Sequence, residues 1–287
     1  MENLLQLLVC MALITSALSH SVYLNNSDAR MAVGLNAHGG HMYASKYMLK
    51  PKADIHNLNI TMLRYRELDS DGAVIRTIDF TKSELGGNQY NITEEKDVPF
   101  GDGQKADVLT LQTYINETDA LVEMKVRQLT GMGYVPLSGE DHWAYYGRVH
   151  YTHKISGWKF SDSPRKGERL ELMFKLKARG YPNPIHHNTL SKNLCVFDLG
   201  NGGTYILAKK IHVDGDLQTF ANGYPHLEGG GDLTIAFPRF SQSAAFDALY
   251  GPSSTYEVAP EPTVCPTDPP MTHNKMGSLD INVNVKS

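Results

Sequence analysis

Leu170-Glu171-Leu172-Met173-Phe174-Lys175-Leu176-Lys177-Ala178 decides the fold class. Leu170, Leu172, Phe174, Leu176 and Ala178 fall on one side of an extended chain; Glu171, Met173, Lys175 and Lys177 fall on the other. A period of two marks a strand, because successive side chains of extended backbone point to opposite faces. One face is built for burial, and the other, largely charged, for solvent.

The same alternation recurs along the chain, and helical periodicity is scarce. Leu109, Leu111, Thr113 and Ile115 lead into the polar Asn116-Glu117-Thr118-Asp119, after which Val122, Met124 and Val126 alternate with Glu123, Lys125 and Arg127. This predicts a hairpin with a polar loop. A second pair opens with Tyr145, Gly147, Val149, Tyr151, His153 and Ile155 against Arg148, His150, Thr152 and Lys154. It continues through Gly157-Trp158-Lys159-Phe160 and the polar turn 161–167 into the Leu170 strand. Further strands are predicted near 61–67, 73–80, 194–199, 204–209 and 233–237, with glycine turns at 200–203 and 229–231. Residues 241–250 predict a short helix, with Ser243 as cap before Ala244-Ala245-Phe246. Residues 251–270 are proline-rich and predict an extended loop. Leu279, Ile281, Val283 and Val285 then alternate with polar residues, a last strand over 279–285.

Many short strands between polar turns predict an all-β, antiparallel β-sandwich with little helix, since each sheet must bury its apolar face against a second layer. Two arrangements are open: one elaborated sandwich, or two in tandem with the break in residues 129–141, which hold three glycines and Pro136. The organisation expected is a signal peptide over 1–19, a β-rich half over 20–130 and a β-rich half over 142–287.

The signal peptide is read from the apolar run 4–18, which ends in Ala17-Leu18-Ser19 and gives a mature start at His20. The segment before the run departs from the pattern, carrying Glu2 and no Lys or Arg. The run is shorter than the roughly 20 residues of a membrane span. A secreted destination follows, and four glycosylation sequons agree with it, at Asn25, Asn59, Asn91 and Asn116. All precede residue 120, leaving the later half as the surface free for contacts. Cys195 and Cys265 remain after cleavage, and an oxidising compartment predicts a bridge between them. It would close a loop of about 70 residues, worth on the order of 4 kcal/mol in the chain-entropy view; two buried thiols are the other reading.

The formal charge of −4 gives no pull on nucleic acid or anionic lipid. Acidic runs reach only two residues, as at Glu94-Glu95, which argues against a strongly acidic mineral nucleator. No Gly-x-Ser-x-Gly elbow is present, and neither a catalytic residue nor a resident cofactor is expected. One alternative starts from His20. A terminal amine and imidazole suit Cu(II), with His38 or His41 as second ligand, the arrangement of the secreted lytic polysaccharide monooxygenases. A carbohydrate- or protein-binding module at the cell surface is another. The turns Asp69-Ser70-Asp71-Gly72 and Asp214-Gly215-Asp216 resemble calcium loops but supply too few oxygens, and Asp-Gly is ordinary turn chemistry. His153, on an apolar face, reads as a core histidine, and Trp158 and Phe160 as plugs for one end of the sandwich.

The alternating strand from Tyr145, the Gly157-Trp158-Lys159-Phe160 element, the polar turn and the strand 170–178 together resemble the skeletal organic matrix proteins of stony corals. The resemblance covers about a third of the chain and brings no functional residues with it. It implies a secreted protein held in a calcium carbonate skeleton, in a framework or adhesive role, with matrix or mineral as partner. The secretion reading makes the first prediction. N-terminal sequencing of secreted protein should begin at His20, within a few residues, and secreted chains that retain Met1 would refute it.

Overall fold

The computed structural model describes residues 21–26, 31–36, 41–46, 56–80, 91–144, 148–162, 164–178, 185–187, 193–200 and 203–252. The apolar run 4–18, the strand expected over 279–285 and all of the proline-rich loop 251–270 beyond Pro252 lie outside them; Gly251 and Pro252, expected in that loop, end a strand. The first strands are β1 (Ser21–Asn26), β2 (Met31–Asn36), β3 (His41–Lys46), β4 (His56–Leu68), β5 (Val74–Asp79), β6 (Asn91–Phe100) and β7 (Gln104–Ile115). Next come β8 (Ala120–Leu129), β9 (Gly133–Leu137), β10 (Glu140–Ala144), β11 (Val149–Ser156), β12 (Arg169–Ala178), β13 (Ile185–His187) and β14 (Leu194–Gly200). The last are β15 (Gly203–Ala208), β16 (Lys210–Val213), β17 (Asp216–Thr219), β18 (His226–Leu227), β19 (Asp232–Pro238) and β20 (Ser243–Pro252). The described residues contain no helix.

These strands form an all-β antiparallel sandwich. An 8-stranded sheet runs β1-β2-β3-β4-β12-β19-β18, with β5 added on β4. A 10-stranded sheet runs β13-β14-β15-β20-β11-β8-β7-β6, with β16 attached to β20 and β17 to β16. The two halves of the chain interleave: β4 pairs with β12, and β8 with β11. The described strands therefore build one sandwich, and all lie in the unit that ends at Ser254.

The stretch proposed as a break is instead the β9–β10 hairpin. Val135, Leu137 and Ala144 lie in a second apolar cluster with Val108, Leu129, Val196 and Leu249. That cluster makes the 10-stranded sheet buried on both faces there, so its strands lose the simple in–out alternation.

Two other expectations change. The 241–250 segment is strand β20, paired with both β11 and β15. Ala244, Phe246, Ala248 and Tyr250 all point into the main core. Their period of two and their two strand neighbours override the helix preference of Ala-Ala. Second, β11 and β12 are not a hairpin. The first lies in the 10-stranded sheet and the second in the 8-stranded sheet, so residues 157–168 cross between the layers. The 104–129 hairpin stands as expected, with residues 116–119 as its turn.

The main core is aromatic and joins the layers ring to ring. Phe246 of the 10-stranded sheet stacks on Phe174 of the other at 6.1 Å and 7°. His153 lies parallel to Phe246 on centroids 5.6 Å apart. Its two ring nitrogens bond Tyr65 Oη at 2.5 Å and Tyr151 Oη at 3.0 Å, so a fully buried imidazole has both partners. Tyr205, also fully buried, has a hydroxyl without a hydrogen-bond partner. Such a group costs about 1–3 kcal/mol. Tyr205→Phe should therefore raise the unfolding free energy by up to that amount in chemical denaturation, and a loss would show the hydroxyl to be paired in solution.

Candidate functional site

Three polar assemblies stand out on this scaffold. The first lies where the chain crosses between sheets. Glu67 of β4 has no solvent exposure. Its carboxylate pairs with Arg76 of β5 and accepts from Trp158 Nε1 at 3.1 Å and from the Ser161 amide at 2.6 Å. Arg76 also lies over the Trp158 ring, 5.4 Å from its centroid. Gly167 passes so close that a Cβ there would sit 2.2 Å from Glu67 Oε1. Trp158 and Phe160 are buried, 4% and 8% exposed, and close this end of the core as the sequence suggests. The arrangement holds structure and leaves no reactive group open.

The second assembly joins Ser138, His150 and Asp247, the residue types of a hydrolytic triad. Their connections are wrong for that chemistry. In a triad the imidazole stands between serine and carboxylate. Here Ser138 Oγ donates directly to Asp247 Oδ2 at 3.1 Å, and the His150 Nε2–H donates to the Pro136 carbonyl at 2.9 Å. Ser138 is 1% exposed. Thr152 and Arg127 complete the set: Thr152 donates to Asp247 at 2.7 Å and Arg127 donates to Thr152 at 2.9 Å. The assembly latches the β9–β10 hairpin onto the 10-stranded sheet. His150, expected on a solvent-facing strand surface, is 2% exposed because the hairpin covers it.

The third assembly is open. A groove of about 430 Å³ lies on the outer face of the 8-stranded sheet, lined by Arg66, Arg169, Glu171, Tyr224, His226 and Thr234 among others. Glu171 is only 4% exposed, contrary to its expected place on a charged solvent face. The segment 221–228 covers it: the Tyr224 hydroxyl donates to Glu171 Oε1, and Arg66 Nε donates to Oε2 at 2.9 Å. Burial, then the bond to Glu171, pushes the Tyr224 phenol up to about 12. Arg169 lies over the Tyr224 ring at 5.7 Å. Sequence periodicity places Arg66, Arg169 and Thr234 on strand faces, but nothing local announces the cover that turns them into a groove.

The residues singled out from sequence are dispersed. His20, His38 and Cys265 lie outside the described residues. His41 opens β3, opposite Asn36 and Thr61. The described residues hold no cluster of three His, Cys, Asp or Glu side chains able to grip a metal. Asn25 and Asn59 lie within β1 and β4, whereas Asn91 and Asn116 are exposed, at the start of β6 and in the β7–β8 turn. Cys195 of β14 is 3% exposed and faces the main core, and burial pushes its thiol up.

The two acidic turns spend their oxygens on the backbone. Asp69 Oδ1 accepts from the amides of Asp71 and Ala73. Asp214 accepts from the amides of Ser241, Gln242 and Ser243 and from the Ser241 hydroxyl. No helix of the described residues is long and apolar enough to cross a membrane. No protein-family model matches the chain, and no curated protein matches its sequence.

The buried histidines make stability pH-dependent. Burial lowers His153 to about 3. Burial, partly opposed by Asp247, lowers His150 to about 4. In the unfolded chain both take up protons near 6.5, so between these values the unfolded state binds more protons and stability falls as pH falls. Asp214 acts lower down: burial raises its pKa, but the three amides and the Ser241 hydroxyl outweigh that and hold it at about 2. Its contribution is present above about 4 and lost as pH drops toward 2. Denaturant midpoints should decline from pH 6.5 to 4 and decline further below 4. A flat profile between 7 and 5 would contradict the histidine assignment.

Proposed function

We propose that the protein is a secreted, glycosylated component of an extracellular matrix, acting through its surface and not by catalysis, in a calcium carbonate skeleton. The observation that carries this reading is the exposure of Asn91 and Asn116 at a sheet edge and a hairpin turn, where glycans reach solvent without disturbing the core. The apolar run 4–18 supports secretion, and the likeness of residues 145–178 to coral skeletal matrix proteins supports the setting. The buried polar assemblies support the non-catalytic part, since Glu67, Asp247, His150 and His153 are all held by structural bonds. A bridge from Cys195 to Cys265 belongs to the same reading.

Contact with matrix or mineral falls on surfaces that glycans leave bare. Lys154 and Lys177 are exposed on the outer faces of β11 and β12, and Lys175 is partly exposed beside Asp232. Exposed charge contacts are each worth roughly 0–1 kcal/mol, so adhesion is multivalent and weakened by salt. The test compares glycosylated and enzymatically deglycosylated protein on calcium carbonate and on isolated matrix across a salt series. Adsorption should fall as salt rises and survive deglycosylation. Salt-independent adsorption, or its disappearance with the glycans, would overturn the reading.

A further inference from the structure

The groove on the outer face of the 8-stranded sheet contains an imbalance that neither the fold nor the adhesive reading uses. Glu171 is already satisfied, by the Arg66 guanidinium at 2.7 Å and by the Tyr224 hydroxyl. Arg169 beside it makes no ion pair among the described residues; its guanidinium lies over the Tyr224 ring and reaches close to Gly72. Its Nε is buried without a hydrogen-bond partner. Thr234 of β19, on the groove floor, is 97% buried, and its Oγ1 likewise has no partner. Buried polar groups left unpaired cost free energy, and a ligand that accepts their hydrogen bonds recovers it.

We propose that this groove binds the sulfate or carboxylate groups of an anionic polysaccharide, with Arg169 as the anion-contacting residue and Thr234, paired with Met173 four residues farther along β12, as a second donor on the groove floor. A planar guanidinium presents paired N–H donors that match an oxyanion. The groove is open and mostly polar, and Asn222, His226 and Glu228 along its rim suit hydroxyl-bearing sugars. Among the described residues that line it there is no aliphatic side chain to hold an apolar peptide residue. The site stands on the groove alone and does not depend on the skeletal reading.

The test is titration of the secreted full-length protein with three hexasaccharides: heparin-derived (sulfate and carboxylate), oligogalacturonate (carboxylate only) and maltohexaose (neutral). At least one anionic sugar should bind and the neutral one should not; the carboxylate-only arm separates the two anion sources. Arg169→Gln should weaken binding about tenfold or more, the scale of a lost charge-assisted contact. Lys105→Gln, on the exposed side of β7 in the other sheet, removes the same charge and should leave binding unchanged. Thr234→Val keeps shape and removes the hydroxyl, so it should weaken binding several-fold with an unchanged melting temperature. That variant decides the matter if Arg169→Gln disturbs folding. Binding of no anionic sugar, equal binding of maltohexaose, or equal losses in Arg169→Gln and Lys105→Gln would each overturn the proposal.

Discussion

Glu67 and Arg76 form the ion pair on which the crossing between the two sheets depends. Taking an unpaired carboxylate out of water costs several kcal/mol, so a fully buried glutamate persists only with a complete set of donors. Burial pushes its carboxyl up, but the bonds from Arg76, Ser161 and Trp158 outweigh this and hold it below its ordinary range. The donors come from two distant parts of the chain: Arg76 from β5, and Trp158 and Ser161 from the crossing segment. Arg76 also donates to the carbonyls of Glu117 and Lys159, at 3.3 and 2.8 Å. The β4–β5 hairpin, the β7–β8 turn and the crossing are thereby fixed on one charge. Gly157, at φ +74, starts the crossing, in a conformation that residues with a side chain rarely adopt.

Closing the ends of the sandwich leaves its edges, where unpaired backbone invites other strands. Three described edge strands are short: β13 has three residues, β18 two and β1 six. The fourth, β6, has ten and is largely exposed. Its sequence blunts it. Glu94, Glu95, Lys96 and Asp97 place charge along it, Pro99 removes a donor, and a register shift between Glu95 and Val98 breaks the ladder. A glycan on Asn91 would stand at the start of this one long edge. The glycosylation proposed here therefore has a physical use beyond solubility.

The alternation of β4, β7, β8 and β12 was readable because those strands bury one face against the opposing sheet. Readability failed where a second layer covers the outer face. His150 and Glu171 sit at positions that period two assigns to solvent, and both are buried by segments distant in sequence, residues 133–144 and 221–228. Strand β20 failed for a related reason. It lies inside the sheet, with Leu249 buried on the face opposite Phe246, so its pattern blurs into an apolar run that strand and helix share. The polar turn expected at 161–167 lies in the crossing between the sheets, and its sequence does not separate the two cases, because a polar loop looks the same whether it folds back within a sheet or passes to the next. Glu67 carried no signal at all. A lone glutamate in a strand is buried or exposed according to what arrives over it, and its partners lie up to 94 residues away.

The two covers differ in a way that separates architecture from binding. The β9–β10 hairpin brings its own apolar residues, Val135, Leu137 and Ala144, and two of its polar groups are tied to the sheet, Ser138 to Asp247 and the Pro136 carbonyl to His150, while the buried Trp143 Nε1 has no partner. Such a cover is a second small core and has no reason to open. Segment 221–228 brings a tyrosine, a histidine and polar loop residues over a charged strand face. It satisfies Glu171 completely and leaves Arg169 Nε and Thr234 Oγ1 unmet. Stability alone favours removing such groups, since an apolar replacement of similar shape costs nothing in pairing. Other buried polar atoms are unpaired as well, Arg64 Nε and the Tyr205 hydroxyl among them; what sets Arg169 and Thr234 apart is that both line one open groove, and that shared place is what the anion-binding proposal rests on.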